Sequence, residues 1–434
     1  MKLRPFELAM VVIFGSLFIL ALILLSTFKP KVDEEVNYLS SGVTVWGTLP
    51  DVVFSNLFIE LIESNEGFSG VSYKYIPPED FDDRFVNALA DQSGPDLVLI
   101  SQDRLVKHRS RLQAIPYESF PIRDFRSLYI DGAEIFALND GVYGFPILVD
   151  PIAMYWNRDI FSSNDLLNAP KTWEEVINET VPKLTVRDFN RNINRASIAM
   201  GEYGNIKNAF PILSLLLLQG GSVLVTEFDT QYRIRLDEAI NNTNGTPFKN
   251  SVTFFTNFSN ANNTLYSWNR SLRPDSEMFL SEDLALYFGF ASEGKELAAK
   301  NPNLNFDITE VPQAQAATVK RTYGSFYSLI VPKTSKNKQG AAAVMQILSS
   351  PENVQKIADG YGMAPVNRVA LAQGSNDIFG RITYSSAVYA RGWLNPDLDG
   401  LNNVLSTMLE DIKSNRSPIG SSVDDAIIRI QQIY

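Results

Sequence analysis

Between Val43 and Ile100 the chain alternates between two hydrophobic periods, and that alternation restricts its fold more than any other feature. Val43-Thr44-Val45-Trp46 is a short β-rich run closed by Gly47 and Pro50. Phe54, Leu57, Phe58, Leu61 and Ile62 recur at helical spacing. Val71 to Ile76 alternates as a strand does and stops at Pro77-Pro78. Phe81, Phe85 and Leu89 fall four residues apart, again helical. Leu97 to Ile100 is wholly apolar and follows the turn Ser93-Gly94-Pro95-Asp96. Side chains share a face every two residues in a strand and every three to four in a helix. The order β-α-β-α-β therefore predicts a parallel sheet covered by helices, an α/β fold. Such sheets bind ligands beyond the carboxyl ends of their strands.

Ahead of this lies a different kind of segment. No charge interrupts Leu8 to Leu25, LAMVVIFGSLFILALILL. At about 1.5 Å per residue the run reaches about 27 Å, enough for the hydrocarbon core of a bilayer. It ends in Ser-Thr-Phe-Lys-Pro-Lys, without the small-residue cleavage pattern of a secretory signal. Residues 1–31 thus predict one uncleaved N-terminal transmembrane helix, a membrane anchor, and the polar residues 32–41 a tether. Lys2 and Arg4 stand on one side, Lys29 and Lys31 on the other. The slight bias favours a cytoplasmic N-terminus, with the soluble part on the extracytoplasmic side of the cell membrane. Those four cations and Glu7 give residues 1–31 a charge of +3, so the remainder carries −11 − 3 = −14. An acidic body lacks the basic footprint that nucleic acid requires.

Catalytic signals are sparse. The chain has no cysteine, which excludes disulfides, thiolate metal sites and a thiol nucleophile. Its one histidine, His108, sits in Lys107-His108-Arg109-Ser110-Arg111 and reads as part of a solvated basic helix face. No G-x-S-x-G elbow supplies a serine nucleophile. Asn395-Pro-Asp397-Leu-Asp399-Gly400 imitates the start of a calcium loop, but position twelve is Ser406 where a bidentate glutamate is needed. A helix cap is the better reading. Gly360-Tyr361-Gly362 lacks the third glycine of a dinucleotide loop. Neither an enzyme, a metal site nor a cofactor is expected.

Further along, residues 152–300 read as richer in helix. Phe210 to Gln219 is apolar nearly all round, a buried core helix ended by Gly220-Gly221. Asn241 to Asn269, rich in Asn, Thr and Ser, reads as polar surface. Phe306–Val311 and Ser328–Val331 read as strands, Gly340–Leu348 and Leu401–Ile412 as helices.

A set of short motifs adds to this pattern. Asp140-Gly141-Val142-Tyr143-Gly144-Phe145-Pro146 is followed by Asp150 and then Tyr155-Trp156-Asn157-Arg158-Asp159-Ile160-Phe161. Pro170-Lys171-Thr172-Trp173-Glu174-Glu175 opens a helix, with Thr172 and Glu175 spaced as a capping box. Gln219-Gly220-Gly221, Ala285–Ser292, Val331–Lys338, Ser349-Ser350-Pro351-Glu352 and Ala364-Pro365-Val366 follow in order. In sequence and spacing, from about residue 42 to the end, they resemble the family 1 extracellular solute-binding proteins, the maltose-binding type that serves ABC importers. The lipobox cysteine usual in that family is missing, and residues 185–280 match its pattern poorly.

The resemblance implies a two-lobed periplasmic-binding-protein-like fold of type II, with a hinge of crossing strands. Lobe one would be 42–150 with 309–331, and lobe two 151–308 with 332–434. It implies capture of a small polar solute, a carbohydrate above all, in the cleft between lobes, and delivery to ABC importer permease subunits. A membrane-tethered sensor or adhesin with the same fold is the alternative. The ligand contacts it points to are Asp150, with a strand-capping role equally open, and Phe290 as an aromatic platform. Phe288 is nearer the core. Trp46 and Trp393 would line the cleft or pack inside, Asp96 follows a glycine turn, and Glu202, Tyr203 and Asn205 occupy a loop of lobe two.

Overall fold

The alternating first segment forms strand β1 (Val43–Gly47), helix α1 (Val52–Ser64), strand β2 (Val71–Tyr75), helix α2 (Pro78–Ala90) and strand β3 (Leu97–Ser101). β1 pairs in parallel with both β2 and β3. Helix α2 starts on Pro78, with Glu79 and Asp80 in its first turn. Proline there gives up only an N–H that has no helical partner, and the acids complement the helix dipole. Helix α3 (Gln102–His108) leaves the carboxyl end of β3 directly. The computed structural model describes residues 39, 41–229, 231–240 and 245–434. The expected anchor and nearly all of the tether lie outside the described residues. Among the described residues, no helix is long and apolar enough to cross a membrane.

The longer of the remaining strands are β4 (Phe145–Asn157), β5 (Ile193–Ile198), the antiparallel hairpin of β6 (Ser222–Phe228) and β7 (Gln231–Ala239), β8 (Leu284–Phe290), β9 (Phe306–Thr309) and β10 (Thr322–Ile330). Helices α4 (Ala209–Gln219), α5 (Pro247–Asn257), α6 (Lys338–Leu348), α7 (Pro351–Tyr361), α8 (Leu398–Lys413) and α9 (Ile419–Ile433) cover them. One continuous sheet runs β2-β1-β3-β10-β4-β8-β5. Its two ends carry separate cores. In the first half, Val43, Val45, Phe54, Leu57, Leu97 and Leu99 pack on one face of the sheet, while Phe81, Phe85, Val98, Ile100 and Phe136 pack on the other. In the second, Tyr155, Ile198, Leu213, Leu217, Phe255, Leu286 and Leu405 form a larger core.

Four expectations need correction. Residues 152–300 are less helical than their composition suggests, because β5 and the β6–β7 hairpin fall there. α6 and α7 belong to the first half, not the second: Ala341, Val344, Leu348, Val354 and Ile357 pack with Val43, Phe54 and Leu99. An amphipathic stripe announces a helix but not the sheet face it covers. In the same way Val311 lies in the second core, so the passage back into the first half comes within β10, later than residue 309. His108, finally, is buried and not solvated: Nε2 lies 2.9 Å from Asp82 Oδ1 and the ring meets Phe85 edge-on. Burial opposes the charge of Asp82, but hydrogen bonds from His108 and Lys107, with the nearby Arg104, hold its carboxyl well below the usual range.

Candidate functional site

β4 and β10 run antiparallel through the middle of the sheet and change surroundings at the same register. Ile147, Leu148 and Val149 of β4 pack in the first half, and Ile152 to Tyr155 in the second. On β10, Tyr323 packs in the second half, and Phe326, Leu329 and Ile330 in the first. Between these sets Asp150 and Pro151 pair with Ser325 and Gly324. Pro151 stands where the ladder to β10 ends and the ladder to β8 begins at Ile152. A residue without an N–H is tolerated at such a change of partner. A Cβ on Gly324 would lie 2.9 Å from Val149, so this crossing has no room for a side chain.

A cavity of about 450 Å³ opens beside the crossing and takes its walls from both halves. Asp103 enters from the start of α3, and Tyr323 and Ser325 from β10. Tyr203 and Lys207 come from the loop before α4, Asn208 and Phe210 from the start of that helix, Phe290 from the end of β8, and Asn402 from α8. The rings of Phe210 and Phe290 flank Tyr323 at 5.7 and 6.4 Å between centroids. Aromatic faces and a few convergent polar groups, in a volume within roughly 300–1,000 Å³, are what small-molecule sites are made of.

The polar groups are held in place. The side chain of Gln102 donates to Gly324 O at 3.2 Å and accepts from Phe326 N at 2.6 Å, tying α3 to β10. Asp103 accepts from Asn395 Nδ2 at 3.2 Å across the halves. Burial raises the Asp103 carboxyl pKa, against the nearby Arg104 and the hydrogen bond from Asn395. Asn208 donates to Glu293 Oε1 at 2.9 Å and to Phe288 O at 3.2 Å. Tyr203 donates its hydroxyl to Asn402 Oδ1. Asp150 accepts from Ser292 N at 3.1 Å and from its hydroxyl at 2.5 Å. Burial pushes the Asp150 carboxyl up to about 7, against those hydrogen bonds and with added repulsion from Glu293.

Of the residues singled out from the sequence, Phe290 and Tyr203 line this cavity. Asp150 lies directly behind it, opposite Ser325, and fastens β4 to the segment after β8. The others lie elsewhere. Trp46 packs in the first core under the Lys74 ammonium, 4.7 Å from its ring centroid. Phe288 stacks on Trp173 inside the second core. Trp393 is buried behind Phe210 and donates to the Tyr434 hydroxyl at 2.9 Å. Asp96 sits at the amino end of β3, the wrong end for a ligand, and accepts from Thr44 N and Ser335 Oγ. Asn205 accepts from Trp268 Nε1 and donates to two backbone carbonyls. Glu202 is buried in an ion pair with Lys413, in a recess of the second half alone.

Asp103, Asn208, Phe210, Tyr323, Ser325 and Asn402 were not anticipated. Asp103 carried a signal, since it follows the carboxyl end of a parallel strand. Asp397, by contrast, caps α8 as expected, accepting from Gly400 N at 3.0 Å.

Comparison with known proteins agrees with this architecture. The family described as bacterial extracellular solute-binding protein matches residues 62–378, well over half of the chain. A relative from Brucella abortus (strain 2308), named as a binding protein, is 22% identical over 314 residues, which is 69% of each chain. Among solved structures, a sugar-binding protein from the phytopathogen Xanthomonas citri superposes with a TM-score of 0.71 at 17% identity, covering 90% of this chain and 97% of its own. A cyclo/maltodextrin-binding protein complexed with maltotetraose gives 0.69 at 17% identity, covering 90% and 96%. A solute-binding protein of an ABC transporter from Thermotoga lettingae, bound with alpha-D-tagatose, gives 0.66 at 17%, covering 90% and 99%. The described residues thus have the α/β fold of periplasmic binding proteins.

Proposed function

We propose that this chain, which belongs to the bacterial extracellular solute-binding protein family, captures a sugar or short oligosaccharide between its halves and delivers it to an ABC importer. The observation that carries this reading is the cavity of about 450 Å³ with walls from both halves. Phe210, Phe290 and Tyr323 offer faces to the apolar side of a sugar ring. Asp103, Asn208, Ser325 and Asn402 offer acceptors and donors to its hydroxyls. The sugars held by structural neighbours support the same class. The halves act as lobes, and a ligand that touches both favours their approach. The apolar run 8–25 anchors the chain in the membrane, with residues 32–41 as tether and the body on the extracytoplasmic side.

A thermal-shift screen tests this on the full chain in lipid nanodiscs, where no glycoside detergent competes. At a hundredfold excess over its dissociation constant a ligand adds about 2.7 kcal/mol of stability. Maltotriose or a related sugar is expected to raise the melting temperature, and Phe290→Ala to abolish the rise. A response to peptides or polyamines with none to sugars overturns the substrate class. Silence across all of them overturns the capture role and leaves a sensor or adhesin.

A further inference from the structure

The β6–β7 hairpin stands outside the main sheet, and its two ends belong to different halves. Leu224, Ile234 and Leu236 anchor its base in the second core. Gln431 of α9 clamps it there, accepting from Ile234 N at 2.9 Å and donating to Tyr232 O at 3.0 Å. Its far end reaches the first half. The Glu227 carboxylate meets Arg109 Nη1 at 2.6 Å and accepts from Asn139 N at 2.9 Å. Arg109 Nη1 also donates to the Tyr232 hydroxyl at 2.8 Å, and Asn139 Nδ2 to Asp229 O at 3.3 Å.

Arg109 is held ready on its own side. Nη2 donates to Asp140 at 2.7 Å and Nε to the Tyr143 hydroxyl at 3.2 Å, while Tyr143 itself donates to Asp140 at 2.8 Å. Both ends of the ion pair are largely covered, with Arg109 14% and Glu227 10% exposed. That covering separates this pair from the solvated ion pairs elsewhere on the surface, whose attraction water screens. The node is also tied to the cavity. Tyr232 packs on Tyr434 at 6.0 Å, Tyr434 accepts from Trp393, and Trp393 packs on the cavity residue Phe210 at 5.4 Å.

We infer that the β6–β7 hairpin is a latch between the lobes, closed by Arg109 gripping Glu227 and Tyr232, and that it sets how long the cleft stays shut. The contacts of Glu227 with Arg109 and Asn139 break when the lobes part, whereas those that hold the hairpin to its own lobe do not. Separation returns both charges to water, which offsets part of the lost attraction, so the latch is reversible. Glu227 and Arg109 are positioning residues: they touch no cavity group and act by fixing the lobes. The inference rests on the two-lobe reading and is independent of which solute binds.

The absence of native cysteine allows the test on the full chain in nanodiscs without any sugar. Spin labels at Glu118→Cys in the first lobe and Asn260→Cys in the second, both exposed, report the distance between lobes. Glu227→Gln is expected to move the distribution to longer distances, raising the separated population about fivefold to tenfold. Tyr232→Phe should give a smaller shift in the same direction. Arg233→Gln is the control, because Arg233 is 76% exposed and its ion pair stays within the hairpin. An unchanged distribution in both Glu227→Gln and Tyr232→Phe, or an equal shift in the control, overturns the latch. Failure of every sugar to bind would overturn the substrate class and leave this distance measurement standing.

Discussion

At the crossing of β4 and β10 the lobes are joined by backbone; at the end of the β6–β7 hairpin they are joined by side-chain charge. The crossing is buried, carries a glycine and a proline where partners change, and holds one carboxylate that burial makes reluctant to ionise. The hairpin contact is built around Arg109 and Glu227, and water can take over its hydrogen bonds when it opens. A ladder of strands bends without parting, and an ion pair parts and re-forms. On the two-lobe reading proposed above, the two regions divide the labour: one keeps the lobes in register, the other sets how firmly they meet.

The largest effect is expected where the chain enters β4 beside β10. Gly144, just ahead of β4, has φ of +80°, and a Cβ there would lie 2.0 Å from Leu329 O on β10. Gly144→Ala should cost about 3 kcal/mol or more, from strained backbone and displaced strand together. Urea denaturation measures it; a loss below about 1 kcal/mol would show that the start of the β4–β10 ladder is looser than its packing implies.

Next comes a pH effect at the crossing itself. The Asp150 carboxyl is raised from 3.8 to about 7, mainly by burial. The proton that the folded state keeps contributes stability fully below about pH 4, and that contribution is lost as pH rises through about 7. Asp150→Asn cannot titrate and still accepts from Ser292 N. It should match the wild type near pH 4 and exceed it above about pH 8, by on the order of 2 kcal/mol. Unfolding midpoints at both values decide the matter, and equal pH slopes in the two proteins would remove Asp150 from the explanation.

The contrast between the regions also marks what the amino-acid pattern could reveal. β1 to β3 and the helices between them announce themselves, because each buries a regular stripe and period alone identifies it. Resemblance carried the reading through Gly144 and Asp150 to Phe161. The first part of β10 gave no such signal: Thr322-Tyr323-Gly324-Ser325 mixes small and polar residues, since it serves the cavity and the crossing more than a core. Tyr323 and Ser325 were missed for that reason. The hairpin was missed for another. Its second strand alternates, with Tyr232, Ile234 and Leu236 on one face, a signal that was passed over, and the identity of Arg109 as a cross-lobe partner depends on residues about a hundred and twenty positions away. Asp96 was singled out and Asp103 was not, although the strand rule points to Asp103: a turn beside a strand is visible at either end, while the ligand end is set by the sheet.

Smaller effects belong to the hairpin. Tyr232→Phe removes one of the bonds that Arg109 makes and leaves the Glu227 contact, so the loss in stability should be about 1 kcal/mol or less. A loss of several kcal/mol would mean that Tyr232 supports the second core through Tyr434 more than it serves the latch.

Phe228 offers the sharpest distinction with the smallest effect. It ends β6 one residue beyond Glu227 and is 76% exposed, the largest apolar side chain at the hairpin's far end. If the hairpin held the first lobe by apolar contact, Phe228→Ser would release it. On the charge-based reading Phe228 contributes almost nothing, and the substitution should change stability by no more than about 0.5 kcal/mol and leave the distance between lobes as it was. A lengthened distance in Phe228→Ser, with Glu227→Gln unchanged, would move the grip from the arginine to the aromatic ring.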